Sequence, residues 1–244
     1  MDKKLFVVGI GPGAYEEMTL RAANALKSCE LIVGYGVYVE LLRPHFPDKE
    51  FYKTPMRGEA ARCRYALEAA SSGRRTAVVC SGDAGVYGMA GLVYELRGEA
   101  ETPEIEVISG LTAACTGAAL LGAPLTHDFA LISLSDLLTK WETIEARLSH
   151  AAEAGLSIVL YNPASKKRKD HLRRACEAVL RYAEPERICG VACNIGREGE
   201  RFQVMTLAQL RDYEADMFTT AFIGNPDTKR IGGKMVTPRG YRDV

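Results

Sequence analysis

The sequence predicts an α/β protein made of two α/β domains, with a parallel-rich N-terminal sheet and a mixed C-terminal sheet. Short β-branched runs alternate with helical segments through the first half, which is typical of βαβ units. The later strands have connections too short for parallel crossovers, so some of them must be antiparallel. A break at Gly122-Ala123-Pro124 separates the halves. The expected domains are therefore residues 1–122 and 123–244.

The N-terminal half reads as alternating strands and helices. Thr19 can cap the first helix, because its hydroxyl can accept a hydrogen bond from a free amide of the first turn. Thr76–Cys80 (TAVVC) is short and apolar, which indicates a buried strand. The predicted strands are Lys4–Gly9, Leu31–Gly34, Thr76–Cys80 and Ile105–Ile108. The predicted helices are Leu20–Ser28, Glu59–Ser72, Val86–Leu96 and Leu111–Leu121.

The C-terminal half contains more strands than helices. Its turn signals, such as the segment Gly196–Gly199, lie between apolar runs of four to seven residues. The predicted strands are Phe129–Leu134, Ser157–Tyr161, Arg187–Cys193, Phe202–Met205, Phe218–Gly224 and Gly233–Val236. The predicted helices are Trp141–Ala154 and Lys166–Tyr182.

Composition excludes several classes of protein. The chain has 31 Lys and Arg against 31 Asp and Glu, which argues against a general binder of nucleic acid or anionic membranes. Its longest uncharged stretch, Val107–Thr126, is interrupted by glycines and Pro124, so a membrane span is not expected. No signal peptide is visible, and the 7 cysteines are an odd number. We therefore expect a cytoplasmic protein with reduced thiols and no protein metal site.

Seven of the 23 glycines lie in three loops, each directly after a predicted strand. Ligands of α/β sheets bind beyond the carboxyl ends of strands, so the loops predict a small-molecule site that is reached by backbone groups. Asp83 can accept hydrogen bonds from a ligand, or it can cap the helix that follows, and both roles can hold together. The loops are Gly9–Ala14, Cys80–Met89 and Ser109–Ala114.

The first loop also satisfies a loose dinucleotide-binding pattern, so a nicotinamide-dependent oxidoreductase is an alternative. Two features oppose it. Pro12 lacks the amide that a pyrophosphate would need, and Gly34 and Tyr35 stand where an acidic residue would hold a ribose. The chain contains no P-loop pattern, so phosphoryl transfer has no support. A non-enzymatic ligand-binding module is a further alternative.

The loops, taken with later motifs, resemble those of the tetrapyrrole (precorrin) methyltransferase family. The likeness covers essentially the whole chain and looks closest to the branch that methylates C(17) of precorrin-3B or of cobalt-factor III. The segments that carry it are Val8–Gly13, Gly82–Gly88, Gly110–Ala113, Ala123–Phe129, Ile132–Thr139, Tyr161–Ser165 and Thr237–Tyr241.

The resemblance implies two α/β domains with S-adenosylmethionine in the cleft between them, and a homodimer. It implies methylation of a tetrapyrrole ring carbon with ring contraction in cobalamin biosynthesis; methylation at another position of the corrin precursor is the alternative within the family. The cofactor contacts that it implies are Pro12, Asp83, Val86, Thr112, Ala113, Asn162, Ala192 and Ala221. The loop glycines Gly11 and Gly82 are expected to contact the cofactor with them.

Ring contraction also requires proton transfer, so one general acid or base near the macrocycle is expected. His127 is the first candidate, and a hydrogen-bonded structural histidine is the alternative. Asp128 would face away from it if both lay on a strand. By the same alternation Ser133 and Ser135 share a face, while Asp136 begins a turn. The catalytic candidates are therefore His127, Asp136 and Ser135, with Ser133 as a substrate contact.

The substrate carries many carboxylates, so cations should surround it. Arg57 lies in a loop and is the first candidate for substrate binding. The basic run Lys166–Lys169, continued by Arg173 and Arg174, is the second, and a solvated helix start is its alternative. No aromatic residues alternate with these charges, which argues against an RNA-binding patch.

Overall fold

The computed structural model describes residues 3–165 and 168–241. The chain divides into two compact units, the first ending at Thr112 and the second beginning at Ala113. Both are α/β units, as the sequence predicts. Within the described residues no helix combines the length and the apolar character that crossing a membrane requires.

The first unit contains a parallel sheet in the strand order β3-β2-β4-β1-β5. Its strands are β1 (Lys4–Gly9), β2 (Leu31–Tyr35), β3 (Glu50–Thr54), β4 (Thr76–Cys80) and β5 (Glu104–Ile108). Gly9 at the end of β1 pairs with Cys80 at the end of β4, and Val8 pairs with Ile108 of β5. Because these pairs are parallel and nearly in register, the strands end together at one edge of the sheet.

Helices cover both faces of this sheet. Val7 and Val78 belong to one apolar cluster and Val8 and Val79 to another, as the two-residue period of a doubly covered sheet requires. Thr19 caps the first helix as predicted, since its hydroxyl accepts from the Ala22 amide at 3.1 Å. The helices are α1 (Leu20–Ser28), α2 (Gly36–Leu42), α3 (Glu59–Ser71) and α4 (Ala90–Arg97), with a 3-10 turn at Tyr15–Glu17.

The second unit contains a mixed sheet in the strand order β10-β9-β11-β8-β7, and a small sheet in the order β12-β13-β6. Strands β7 and β8 are parallel to each other, while β11, β9 and β10 add antiparallel pairs. The strands are β6 (Gly122–Ala123), β7 (Phe129–Ser133), β8 (Ser157–Tyr161), β9 (Ile188–Cys193), β10 (Arg201–Thr206), β11 (Thr219–Ile223), β12 (Lys229–Ile231) and β13 (Lys234–Val236). The helices are α5 (Ala113–Leu121), α6 (Trp141–Glu153), α7 (His171–Val179) and α8 (Leu207–Arg211).

The division between the units falls before α5, whereas the sequence analysis expects it after Gly122. Helix α5 packs on the sheet of the second unit. A Cβ added at Gly117 of α5 would lie 2.9 Å from the Phe222 ring, and one added at Gly190 of β9 would lie 2.5 Å from the side chain of Leu121. The small residues of α5 therefore serve close packing on the second sheet, which explains why this helix belongs to the second unit.

Two predicted helices begin later than their apolar patterns suggest. Helix α4 begins at Ala90 rather than at Val86, because residues 85–88 form a turn in which Tyr87 has a φ of 53°. Helix α7 begins at His171, and before it Ser165 and Arg168 exchange two backbone hydrogen bonds. Lys166 and Lys167, which the sequence analysis includes in this helix, lie outside the described residues.

The cysteines are free, and all except Cys115 are buried, as expected for small apolar residues. Burial raises the pKa of Cys80 and that of Cys176 to about 12, so both remain protonated thiols at neutral pH. The described residues contain no group of three or more His, Cys, Asp or Glu side chains arranged to hold a metal ion.

Candidate active site

In the first unit, the three glycine-rich loops meet at the carboxyl ends of β1, β4 and β5. Gly11 and Gly82 pair with each other: the Gly11 amide donates to the Gly82 carbonyl at 3.1 Å, and the Gly82 amide donates to the Gly11 carbonyl at 2.7 Å. Both have positive φ, 77° and 70°, which glycine adopts without a steric penalty. This pair joins the first loop to the second.

The glycines are required first for contact between the loops themselves. A Cβ added at Gly110 would lie 2.2 Å from the Gly82 carbonyl oxygen and 2.6 Å from Gly9, and one at Gly9 would lie 2.7 Å from the Gly110 amide. These atoms are backbone and cannot rotate away. The sequence analysis explains the glycines by the approach of a ligand; the structure adds that no larger residue fits where the three loops touch.

Asp83 ties the second loop to the third. Its Oδ1 accepts hydrogen bonds from the amides of Gly85 at 2.7 Å and Val86 at 3.0 Å, and its Oδ2 accepts from the amide of Gly110 at 2.9 Å. It does not cap α4, whose N-cap residue is Met89 with no side-chain bond. The helix-cap alternative for Asp83 is therefore wrong: the carboxylate closes a turn and holds a neighbouring loop.

We expect Asp83→Ala to lower the free energy of unfolding by about 2–4 kcal/mol, because three amides, two of them partly buried, lose a charged acceptor. It should also weaken binding of S-adenosylhomocysteine, since the second and third loops lose their link. Thermal unfolding and titration calorimetry measure the two effects. Asp48→Ala, at an exposed carboxylate of the same unit, is the matched control. Unchanged affinity in Asp83→Ala would mean that the loops keep their arrangement without the carboxylate.

The described loop residues 9–14, 80–89 and 109–113 contain a single carboxylate, Asp83, and no cation. A sulfonium donor carries a positive charge, so a surface free of Lys and Arg suits it. Gly11 and Pro12 are buried, while Val86, Thr112 and Ala113 are half-buried at the edge of the loops. These residues therefore fit the class of cofactor that the sequence predicts.

The predicted cofactor contacts of the second unit are placed differently. Ala192 on β9 and Ala221 on β11 are fully buried among side chains of their own unit. Neither side chain is open to a ligand in this structure. Asn162 directly follows β8 and has a φ of 54°, a left-handed conformation that Asn tolerates better than most residues.

A polar cluster forms where the parallel strands β7 and β8 end. The Asn162 side-chain amide donates to the Ser133 hydroxyl at 3.0 Å, and the Ser135 amide donates to the same hydroxyl at 3.3 Å. The Leu134 amide donates to the Tyr161 carbonyl at 2.8 Å, which continues the strand pairing past β7. The structure thus brings together Ser133, Ser135 and Asn162, which the sequence analysis assigns to three different roles.

Asp136 follows this cluster and faces the side chains of His171 and Arg168. His171 Nε2 lies 3.1 Å from Asp136 Oδ2, and Arg168 Nη1 lies 3.8 Å from Asp136 Oδ1. Desolvation by the surrounding protein raises the pKa of Asp136, but the contact with His171 and the charge of Arg168 together outweigh it, and the pKa is lowered. Asp136 is therefore a carboxylate at neutral pH, and 36% of its side chain is exposed.

His127 lies apart from this cluster. It sits in a bend before β7 rather than on the strand, so strand alternation does not describe its relation to Asp128; both side chains are exposed. Its Nε2 lies 2.9 Å from the Pro238 carbonyl oxygen. His127 therefore precedes the amino end of β7, while Asp136 follows the carboxyl end. The hydrogen bond to Pro238 favours the structural alternative for His127.

The predicted substrate cations have different surroundings within their own units. Arg57 is exposed in the loop between β3 and α3, with a φ of 69° and its amide bonded to Glu59. In the basic run, Arg168 faces Asp136, Arg173 pairs with Asp212 at 3.0 Å, and the Arg174 guanidinium lies 4.0 Å from the centre of the Trp141 ring. These arginines have separate partners, so the run is not simply a solvated helix start.

His171 is the residue of this site that the sequence analysis misses. No motif marks it, since it stands in a charged segment and the partner that makes it notable, Asp136, lies far from it in the sequence. Its 5% exposure is the signal that only the structure provides. Histidine is intermediate in how often it is buried, so the burial of His171 in a charged segment marks it as a candidate site residue once the structure is known.

Comparison with known proteins identifies the family. The family model for Tetrapyrrole (Corrin/Porphyrin) Methylases matches residues 4–211. A probable cobalt-factor III C(17)-methyltransferase of Salmonella typhimurium is 44% identical, over 97% of this chain and 99% of that protein. A precorrin-3B C(17)-methyltransferase of Sinorhizobium sp is 42% identical, over 99% of this chain and 98% of its own length.

A solved structure agrees with the sequence comparisons. The crystal structure of the methyltransferase CobJ matches with a TM-score of 0.89 and 37% identity, over 96% of this chain and 99% of that one. The match covers nearly all of this chain, so the two proteins share their fold. This chain therefore belongs to the tetrapyrrole (corrin/porphyrin) methylases.

Proposed function

We propose that this protein transfers a methyl group from S-adenosylmethionine to C(17) of precorrin-3B or cobalt-factor III, with ring contraction, in cobalamin biosynthesis. The observation that carries the proposal is similarity above 40% identity, over nearly the full length of both partners, to two C(17)-methyltransferases. The two differ in the metal content implied by their substrate names, so the proposal covers the metal-free and the cobalt-containing macrocycle.

The proposal assigns separate tasks to the two units. When bound, S-adenosylmethionine supplies an activated methyl group, so the protein has mainly to align the donor with the ring carbon and to exclude water. The glycine-rich loops of the first unit, held together by Asp83, bind the donor through backbone groups. Arg57 binds a substrate carboxylate. Cobalt, where present, belongs to the substrate.

Asp136 is the proton acceptor in this proposal. Its lowered pKa keeps it ionised at neutral pH, which suits a base rather than an acid. Ser133 and Ser135 lie beside it and offer hydroxyl groups to the macrocycle, and Asn162 orients the Ser133 hydroxyl. A base at this position would take up a proton during closure of the ring acetate and contraction of the macrocycle.

The test is incubation with methyl-labelled S-adenosylmethionine and each macrocycle, with and without oxygen, followed by mass spectrometry. We expect one labelled methyl group in the product and a contracted ring, with one of the two macrocycles strongly preferred. No mass gain with either macrocycle would overturn the proposal. A labelled product without contraction would support methylation at another ring position instead.

Calorimetry separates the leading function from the oxidoreductase alternative. We expect S-adenosylhomocysteine to bind and NADH not to bind. The family assignment and the absence of an acidic residue at the end of β2, where Tyr35 stands, both weigh against a nicotinamide cofactor. Tight binding of NADH alone would contradict the assignment.

We further propose that the protein acts in the cytoplasm as a homodimer. The cysteines, all free and mostly buried, suit a reducing compartment, and the resemblance to the family supports the dimer. Sedimentation equilibrium should give twice the chain mass of 26.6 kDa. A mass of one chain at micromolar concentration would remove the dimer from the proposal.

A further inference from the structure

His171 is a buried histidine held between two carboxylates. Its Nε2 lies 3.1 Å from Asp136 Oδ2, and its Nδ1 lies 3.2 Å from Asp170 Oδ1. The edge of its ring meets Trp141 of α6, with ring centres 5.0 Å apart. Only 6% of its side chain is exposed. Three neighbours therefore restrain the imidazole, with Nε2 close to Asp136.

Arg168 approaches the other oxygen of the same carboxylate. Its Nε donates to the Ser165 hydroxyl at 3.1 Å, and the backbone groups of Ser165 and Arg168 bond to each other at 3.1 and 3.0 Å. The backbone hydrogen bonds between Ser165 and Arg168 help to hold the guanidinium, whose Nη1 is buried and lies 3.8 Å from Asp136 Oδ1. Neither Arg168 Nη1 nor His171 Nε2 has an aligned hydrogen bond within the described residues. Both atoms therefore lie close to Asp136, and neither is bonded to another described partner.

We propose that His171 and Arg168 are positioning residues that hold Asp136 as an ionised carboxylate with one side open to the macrocycle. The inference rests on the proposed function, because it assigns Asp136 the role of proton acceptor. Both side chains approach Asp136 from the protein side, while about a third of the Asp136 side chain stays exposed. A carboxylate has about four lone-pair sites, so two contacts leave room for a substrate group.

The groups around the cluster make the direction of the effect clear. Among the described residues, His171 and Arg168 face Asp136, and Asp170 faces His171 from the opposite side. From α6, the uncharged Trp141 packs on His171, and its indole donates to Glu145, which also pairs with Arg181. The Arg174 guanidinium lies against the Trp141 ring. Both His171 and Arg168 lower the pKa of Asp136, so removal of either side chain favours its protonated form.

The experiment compares pH profiles of turnover for the wild type, His171→Gln and Arg168→Met. If a base must be ionised to act, kcat falls as the pH drops through the pKa of that base, and this fall is the acidic limb of the pH profile. We expect each substitution to raise the midpoint pH of this limb by about one unit, the size of shift that the loss of one favourable contact at this distance produces. KM for the macrocycle should change less than kcat near the limb, and affinity for S-adenosylhomocysteine should not change.

His150→Gln is the matched control, because His150 is an exposed histidine of the same unit that pairs with Glu153. Its profile should match that of the wild type. A carbon-detected NMR titration of the Asp136 carboxyl group, identified with Asp136→Asn, measures the same shift without substrate. We expect the pKa of Asp136 to rise in both variants. If His171→Gln does not fold, Arg168→Met decides the result.

The outcomes separate the proposed methyl transfer from the positioning role of His171 and Arg168. A wild-type protein that methylates neither macrocycle overturns the proposed function, whereas the NMR titration still tests the positioning role. The inference is overturned if the wild type methylates a macrocycle but the variants show neither a shifted acidic limb of kcat nor a shifted pKa of Asp136. Shifted titrations with shifted limbs support it, because a residue that only stabilises the fold would lower activity equally at every pH.

Discussion

Gly110→Ala is expected to destabilise the first unit by about 3 kcal/mol, at the upper end of what overpacking costs. The new Cβ would lie 2.2 Å from the Gly82 carbonyl oxygen and 2.6 Å from Gly9, and all of these neighbours are backbone atoms. A cost of this size corresponds to a fall in Tm of about 6–12 °C when the whole chain of 244 residues unfolds as one. Because the third loop must move away from the other two, we also expect S-adenosylhomocysteine binding to be lost.

Gly91→Ala is the matched control for this substitution. Gly91 lies in the first turn of α4, and a Cβ there would meet no atom within 4 Å. Alanine favours helix over glycine, so this variant should be as stable as the wild type or slightly more stable. Thermal unfolding and calorimetry on both variants make the comparison. Gly110→Ala with wild-type Tm and affinity would show that the loops can separate without cost.

The position of the three glycine-rich loops was predictable from the sequence, but their contact with one another was not. Their position after strands follows from a local pattern, and so does the Thr19 cap. The mutual contact of Gly9, Gly82 and Gly110 does not, because it depends on β1, β4 and β5 being neighbours in the sheet. Strand β3 (EFYKT) has no apolar run, and it is recognisable only beside β2.

The polar cluster of the second unit shows the same limit. Ser135 lies beyond the end of β7, so strand alternation does not describe its relation to Ser133; the two meet because the Ser135 amide donates to the Ser133 hydroxyl. Asn162 joins them because β7 and β8 are parallel and end together. His171 lies at the start of α7 and contacts Asp136, a pairing of distant segments that no spacing in the sequence encodes. The polar residues themselves were predictable here, whereas their contacts were not.

Asp136→Asn is expected to lower kcat by about 10²–10⁴-fold, the range typical of the loss of a general acid or base. The amide keeps the shape of the side chain but cannot accept the proton. Binding of S-adenosylhomocysteine should stay at the wild-type level, because the substitution leaves unchanged the Asp83 carboxylate that links the second and third loops. Single-turnover assays with the labelled donor, combined with calorimetry, separate the two quantities.

His127→Asn is the informative comparison, because His127 and Asp136 flank the two ends of β7. A strand of five residues spans roughly 13–16 Å, so these side chains cannot both contact the same reacting atom. His127 Nε2 lies next to the Pro238 carbonyl, and we expect its replacement to lower Tm while kcat changes less than about threefold. A large fall in kcat in His127→Asn with normal turnover in Asp136→Asn would reverse the assignment and move the proton acceptor to the amino end of β7. Equal losses in both would instead point to conformational coupling along the strand, because one proton transfer cannot use both groups directly.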